Sequence, residues 1–246
     1  MKWRVIPLAT YDAFMNMAID EAIAESVAMG KVAPTIRFYQ WKPSAVSIGY
    51  FQSLQQEVQQ QRCAELGVDV VRRRTGGGAV YHDKELTYSV IAPESLLPKG
   101  ITESYHTICG WVVNGLKNVG IVGEFKPIND IIVKGKKISG NAQTRRDAVV
   151  LQHGTILYDL NVETMFSLLK VSQEKISDKM IQSVKERVTS VLEHANVSEL
   201  ELYEAMRKGF TENKEWEFGD LSGGEMERAR QLAEQRYRTK AWNEMR

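Results

Sequence analysis

The chain has 246 residues, 43% of them hydrophobic, with 32 Lys and Arg against 31 Asp and Glu. This balance argues against a general nucleic-acid or membrane-surface binder, since net charge supplies no long-range attraction to a polyanion. The opening MKWRVIPLATYD lacks the apolar core of a signal peptide, and no run approaches the ~20 apolar residues of a membrane span, so a cytoplasmic protein is expected. Cys63 and Cys109 are far apart and lack metal-ligand spacing, so neither a disulfide nor a zinc site is expected, and both should be reduced.

In chain order, Met17, Ala18, Ala22, Ile23 and Val27 recur at helical spacing, with Asn16 as the expected cap and Gly30 as the stop. Extended segments follow at residues 36–39, 45–48, 68–71, 79–81 and 86–91 and are expected to form a sheet. The polar run 55–61 reads as one exposed helix face. Ile108, Trp111, Val112, Leu116 and Val119 mark a central helix. Strands are then predicted at 129–133, 136–139 and 149–157, with Lys134-Gly135 as a hairpin turn. The last third reads as helical at 165–169, 200–210 and 226–237. Ser198-x-x-Glu201 and Ser222-x-x-Glu225 both fit capping boxes, in which serine and glutamate satisfy otherwise unpaired N–H groups. The order predicts an α+β fold.

The segment 72–89, RRRTGGGAVYHDKELTYS, concentrates chemistry. Arg72, Arg73 and Arg74 supply permanent charge, while Gly76, Gly77 and Gly78 allow close backbone approach and positive φ. An arginine fork beside successive glycine N–H groups suits an anion, phosphate above all. The spacing matches neither a Walker A loop nor a dinucleotide fingerprint, and Ala79-Val80-Tyr81 reads as strand. A glycine turn on a surface hairpin is the plain alternative.

A second segment, INDIIVKGKKISGNA at 128–142, is followed by Gln152-His153-Gly154-Thr155. Together the motifs R-R-x-T-G-G-G-A-V-x-H-D, N-D, G-K-K-I-S-G-x-A and H-G-T, in this order, resemble the lipoate-protein ligase family. The likeness extends from Ala18-Ile19-Asp20-Glu21 to Trp242-Asn243, and Ala142-Gln143-Thr144-Arg145 also resembles the monofunctional octanoyltransferases. The resemblance implies a mixed β-sheet with flanking helices and one catalytic domain spanning 1–246, including the helical last third. It also implies an ATP-dependent reaction, in which lipoate becomes lipoyl-AMP and the lipoyl group passes to a lysine of an acceptor domain. ATP and Mg2+ would be required. Larger family members carry a further small C-terminal domain, so a separate accessory protein is expected to support adenylation.

By the same resemblance Lys137 would be the catalytic cation, touching the lipoyl carboxyl region and the nucleotide phosphate. A charge that develops on phosphoryl and carboxylate oxygens calls for such fixed cations. Arg73 would face the phosphate, Gly78, Ala79, Val80 and Tyr81 would run along the nucleotide, Thr75 and Gly76 would lie beside the lipoyl chain, and Gly77 would belong to the same lipoyl-AMP site. His82 and His153 would line the site, either orienting substrate or serving as buried structural histidines. Asn129 and Asp130 would sit near the phosphate, Asp130 helping to place Mg2+. Gly140, Ala142, Gly154 and Thr155 complete the expected site, with Ile48, Gly49, Tyr50 and Ala142 as walls of an apolar slot. Arg74, Lys134 and Lys136 are expected at the surface, and His106 and His194 at the periphery. Two other functions stand beside the ligase. An octanoyl- or lipoyltransferase would take its acyl group from a carrier protein through a cysteine, which in the octanoyltransferases lies shortly before the lysine. Residues 124–136 contain none. A non-catalytic acceptor-binding homologue is the third.

Overall fold

The computed structural model describes residues 1–170 and 178–246. The chain opens in a strand, β1 (Trp3–Tyr11), which the sequence pattern did not reveal because only Trp3, Val5 and Ile6 are buried along it. Helix α1 (Ala13–Ala28) carries the chain back to β2 (Thr35–Trp41), which pairs parallel to β1. The helix is capped by Asp12, whose Oδ1 accepts from the Met15 N–H at 2.8 Å. Asn16, the expected cap, is instead buried inside the helix. Its Nδ2 donates to the Tyr11 and Gln40 carbonyls and its Oδ1 accepts from Arg37, so its role is tertiary and not that of a local cap.

The further strands are β3 (Ala45–Ile48), β4 (Asp69–Arg72), β5 (Val80–His82), β6 (Glu85–Pro93), β7 (Glu124–Lys126), β8 (Asp130–Val133), β9 (Lys136–Arg146), β10 (Val149–Leu157) and β11 (Trp216–Phe218). The expected sheet is in fact two. A mixed eight-stranded sheet runs β11-β1-β2-β6-β10-β9-β8-β7, and a small sheet runs β4-β3-β5. Strands β7 and β11 also escaped the sequence pattern, each being three largely exposed edge residues. The Lys134-Gly135 turn is present, both residues at positive φ, as a tight hairpin demands.

The large sheet buries both faces. Along β2, Ile36 and Phe38 enter one core while Tyr39 and Trp41 enter the other, the alternation a two-sided strand must show. Helices α4 (Ile101–Lys117) and α7 (Glu199–Thr211) cover the first face. Helix α1 and α8 (Gly223–Leu232) cover the second. Both expected capping boxes form, at Ser198 before α7 and Ser222 before α8. The polar run at 55–61 is exposed as expected at Gln55, Gln56, Gln59, Gln60 and Gln61, but it is split between two short helices, α2 (Leu54–Glu57) and α3 (Gln60–Glu65), with Leu54, Val58 and Cys63 packed onto the small sheet. Short helix α5 (Val162–Leu168) follows β10, and α6 (Asp178–Arg187) lies next in the described chain. The expected continuation of α8 to Tyr237 is a wider turn over Ala233–Tyr237, after which α9 (Lys240–Asn243) folds back to β4.

Helices α4 and α7 cross where Gly115 meets Gly209. A methyl group on Gly209 would collide with the Gly115 backbone and stand 2.6 Å from the Trp111 carbonyl. Gly209→Ala is therefore expected to destabilise the protein by about 1–3 kcal/mol despite its better helix propensity, because the helices must separate. Urea unfolding checks this, and an unchanged midpoint would contradict the close crossing.

Candidate active site

Between the two sheets lies a cavity of about 280 Å³. Its lining includes Arg73, Gly77, Gly78, Ala79, Val80, Tyr81 and His82 from the glycine segment. Strands β8 to β10 and their turns add Asn129, Lys137, Gly140, Ala142, His153, Gly154 and Thr155. Thus most of the residues singled out in the sequence converge, although they come from segments far apart in the chain. Apolar walls come from residues the motifs did not contain: Met17, Tyr39 and Trp41 on one side, Leu160, Met165 and Leu169 around α5. Aromatic and aliphatic residues at such positions look like ordinary core, so sequence offered no signal. Ile48, Gly49 and Tyr50 are not in the lining. Ile48 packs beneath the small sheet with Leu54 and Leu168, a consequence of strand alternation.

The arginines do not act as the sequence suggested. Arg73, expected to face a phosphate, is buried with its five N–H donors turned to the protein. Nε reaches Thr75 Oγ1, Nη1 reaches the Ser47 carbonyl and hydroxyl, and Nη2 reaches the Gly76 and Gly78 carbonyls at 2.8 and 2.7 Å. Burial pulls its pKa down to about 10. It therefore shapes the glycine loop. Gly77 takes φ +94°, and a methyl group there would sit 2.9 Å from Arg73 Nη2. Thr75 and Gly76, expected beside the acyl chain, lie outside the lining, and Thr75 is fully buried. Arg74, expected in solvent, pairs with the buried Glu21 at 2.6 Å on the α1 side.

Two hydroxyl–imidazole pairs sit at the deep end. Ser47 Oγ and His82 Nε2 are 2.7 Å apart, with His82 Nδ1 2.6 Å from Glu85 Oε1 and the imidazole stacked on Trp41. Thr75 Oγ1 and His153 Nε2 are likewise 2.7 Å apart, and His153 Nδ1 lies 3.8 Å from Asp20 Oδ2. Ser47 is only 1% exposed and also accepts from Arg73, so its hydroxyl braces the floor. Burial lowers the His153 pKa, partly opposed by Asp20. Burial pushes the Asp20 carboxyl up, but Arg37 at 2.8 Å, His153 and Ser89 outweigh it and hold it below its ordinary value.

At the more open side, Lys137 Nζ lies 2.7 Å from Asp130 Oδ1, both side chains partly exposed. Asn129 is fixed by reciprocal hydrogen bonds with Asn141. The Asp130 carboxylate, expected to help place Mg2+, is held here by the Lys137 ammonium, and among the described residues no group of three His, Cys, Asp or Glu is arranged for a metal. Neither cysteine lines the cavity. Burial pushes Cys63 to about 11 and Cys109 to about 12, which makes both poor nucleophiles.

Residues 12–211 match the lipoyl protein ligase A/B catalytic domain, and the chain belongs to that family. It is 37% identical to the octanoyltransferase LipM of Brevibacillus brevis, over 98% of each chain. Relatives from other bacteria at 34–37% identity bear the same name. Among solved structures it resembles the bipartite lipoate protein ligase of Thermoplasma acidophilum, described with its E2 lipoyl domain, at TM-score 0.88 and 33% identity over 99% of this chain and 96% of that one. A lipoate-protein ligase A bound with ATP superposes at TM-score 0.86 and 31% identity over 99% and 98%. These likenesses bear out the α+β fold with a mixed sheet and flanking helices. They overturn the expectation of an ATP-dependent ligase: the relatives matched over nearly their full length are octanoyltransferases, and the motifs are common to both chemistries.

His153 yields a pH prediction. Its folded pKa is depressed below the ordinary 6.5, so the unfolded chain binds the proton first and stability falls as pH drops below about 6.5. The slope contributed by His153 should reach at most about 1.4 kcal/mol per pH unit. Urea midpoints between pH 7.5 and 5.5 should show it, and His153→Gln should flatten the profile. An equal slope in the variant would refute the assignment.

Proposed function

We propose that this protein moves an octanoyl or lipoyl group from a carrier-protein thioester to the ε-amine of a lysine on a lipoyl acceptor domain. The observation that carries this reading is the narrow apolar cavity with Lys137 at its open side, in a chain whose full-length relatives are octanoyltransferases. A slot of about 280 Å³ walled by Trp41, Met165 and Leu169 suits a slender acyl chain better than a bulky polar ligand. The carbonyl would then lie near Lys137. Residues 1–246 would work as one catalytic unit in the cytoplasm.

The acceptor amine attacks the thioester carbonyl and the C–N bond forms, giving a tetrahedral intermediate; the C–S bond breaks as that intermediate collapses, and the departing thiolate takes up the proton lost by the amine. Lys137 stabilises the negative oxygen of the tetrahedral intermediate, and Asp130 holds the ammonium in place until substrate enters. The glycine backbone of Gly77 and Gly78 forms the wall along the chain. With Cys63 and Cys109 buried outside the cavity, the acyl group passes directly to the amine without a cysteine-linked intermediate. The thioester already carries the activation, so this reading assigns no step to ATP or Mg2+ and no adenylation to an accessory protein.

Octanoyl-carrier protein and an apo acceptor domain, incubated without ATP, should give an acceptor heavier by one octanoyl group in the mass spectrum. Modification that requires free acid and ATP would overturn the reading. Lys137→Ala should lower kcat by about 100-fold or more, since it removes a preorganised charge from the reacting centre. The double variant Cys63→Ser, Cys109→Ser should keep its turnover; an acyl adduct on either cysteine of the wild type would rule out direct transfer.

A further inference from the structure

Arg72 precedes the arginine that shapes the glycine loop, yet its side chain serves a different pair of segments. It is fully buried and, among the described residues, has no carboxylate partner. Its Nη1 donates to the carbonyls of Gly49, Tyr50 and Gln52 at 3.2, 3.0 and 2.6 Å. Its Nε and Nη2 donate to the carbonyls of Trp242 and Asn243 at 3.0 and 2.7 Å. A buried cation left without such partners costs several kcal/mol, so loop 49–52 and helix α9 must be in place together.

Helix α9 returns these bonds. Trp242 Nε1 donates to the Arg72 carbonyl at 2.9 Å, and the Arg72 N–H donates to Asn243 Oδ1 at 2.7 Å. Asn243 Nδ2 in turn donates to the Tyr237 and Thr239 carbonyls, fixing the turn before the helix. On the other side, loop 49–52 backs the cavity wall. The Tyr50 N–H donates to the Thr75 carbonyl at 2.8 Å, and the Arg73 N–H donates to the Ile48 carbonyl at 3.0 Å. Gly49 lies so close to Gly77 that a methyl group on it would collide with the Gly77 carbonyl. A continuous path of hydrogen bonds and close contacts thus leads from α9 through Arg72 to the glycines that line the cavity.

We propose that Trp242 and Asn243 are positioning residues, which act through Arg72 to hold loop 49–52 and the glycine loop in the shape that binds the acyl chain. This rests on the acyl-transfer reading, since it assigns the glycine wall to the chain. It predicts a loss in binding rather than in chemistry, because Lys137 and Asp130 lie on other strands.

The test compares the wild type with Asn243→Ala, Trp242→Phe and Asn243→Asp, the last keeping the Oδ1 acceptor. In Asn243→Ala, amide exchange should rise at residues 49–53 and 75–79 but not in β6 or β10. Octanoate binding, followed by tryptophan fluorescence, should weaken by about tenfold, with KM for octanoyl-carrier protein rising alike and kcat within about twofold, as expected when geometry alone is relaxed. Asn243→Asp keeps the acceptor for the Arg72 N–H but loses the donation to the Tyr237 and Thr239 carbonyls, so it should recover only part of the loss, and Trp242→Phe should be milder than Asn243→Ala. Exchange that rises evenly across the protein, or that stays unchanged in both loops, would overturn the proposal, as would kcat falling without KM. If the wild type transfers no octanoyl group, the acyl-transfer reading fails, while the exchange pattern still decides whether α9 positions the loops.

Discussion

Two adjacent buried guanidinium groups, those of Arg72 and Arg73, constrain the site more than any other interaction. A guanidinium cannot shed its proton inside a protein, so burial forces its donors onto acceptors wherever the backbone can supply them. Here the acceptors are mainly carbonyls. Arg73 takes those of Ser47, Gly76 and Gly78, and Arg72 those of loop 49–52 and α9. A strand edge, a glycine loop and a distant helix are thereby brought to fixed positions. The loop keeps its shape because every departure would strand a buried charge.

Behind this lies a second polar layer between α1 and the sheets. Asp20 binds Arg37 and accepts from Ser89, while Glu21 receives Arg74, Arg236 and the Tyr237 hydroxyl. Charged groups are seldom this deeply buried unless paired, and here each carboxylate has several donors. The arrangement ties α1 to β2 and β6 and ties the turn after α8 to α1. It also explains why Arg74 turns away from the cavity although the preceding Arg73 lines it: successive strand and loop residues alternate faces, and Glu21 waits on the other side.

The division of labour within the cavity follows from burial. The floor spends its polar groups on one another, so the cavity presents mostly apolar surface, while the Lys137 ammonium in its lining stays near solvent. That placement suits acyl transfer, in which the hydrocarbon must leave water but the carbonyl must remain open to a macromolecular acceptor. Members of one fold can divide between activating a free acid and using an acid already activated, because both chemistries need the same slot and a cation near the carbonyl. The solved ligases share the fold of the present chain, and the named octanoyltransferases share its sequence over nearly their full length.

The sequence by itself determined the elements with strong local signals. The capping serines Ser198 and Ser222, the Lys134-Gly135 turn and the strands with apolar runs follow from short-range chemistry, and the ordered motifs identified the family. They also named most of the cavity lining, from Gly77 to Thr155. Tertiary structure decided the rest. Strand β1 owes its existence to pairing with β2 and β11, and Asn16 to a neighbour 21 residues away, so neither left a local trace. The direction of each arginine could not be read from RRRTGGG, because it depends on which carbonyls and carboxylates the fold brings within reach of a buried charge. Residue types recorded that a cation would be there; only packing determined that Arg72 and Arg73 would hold the backbone and Arg74 a glutamate, leaving Lys137 beside the open cavity.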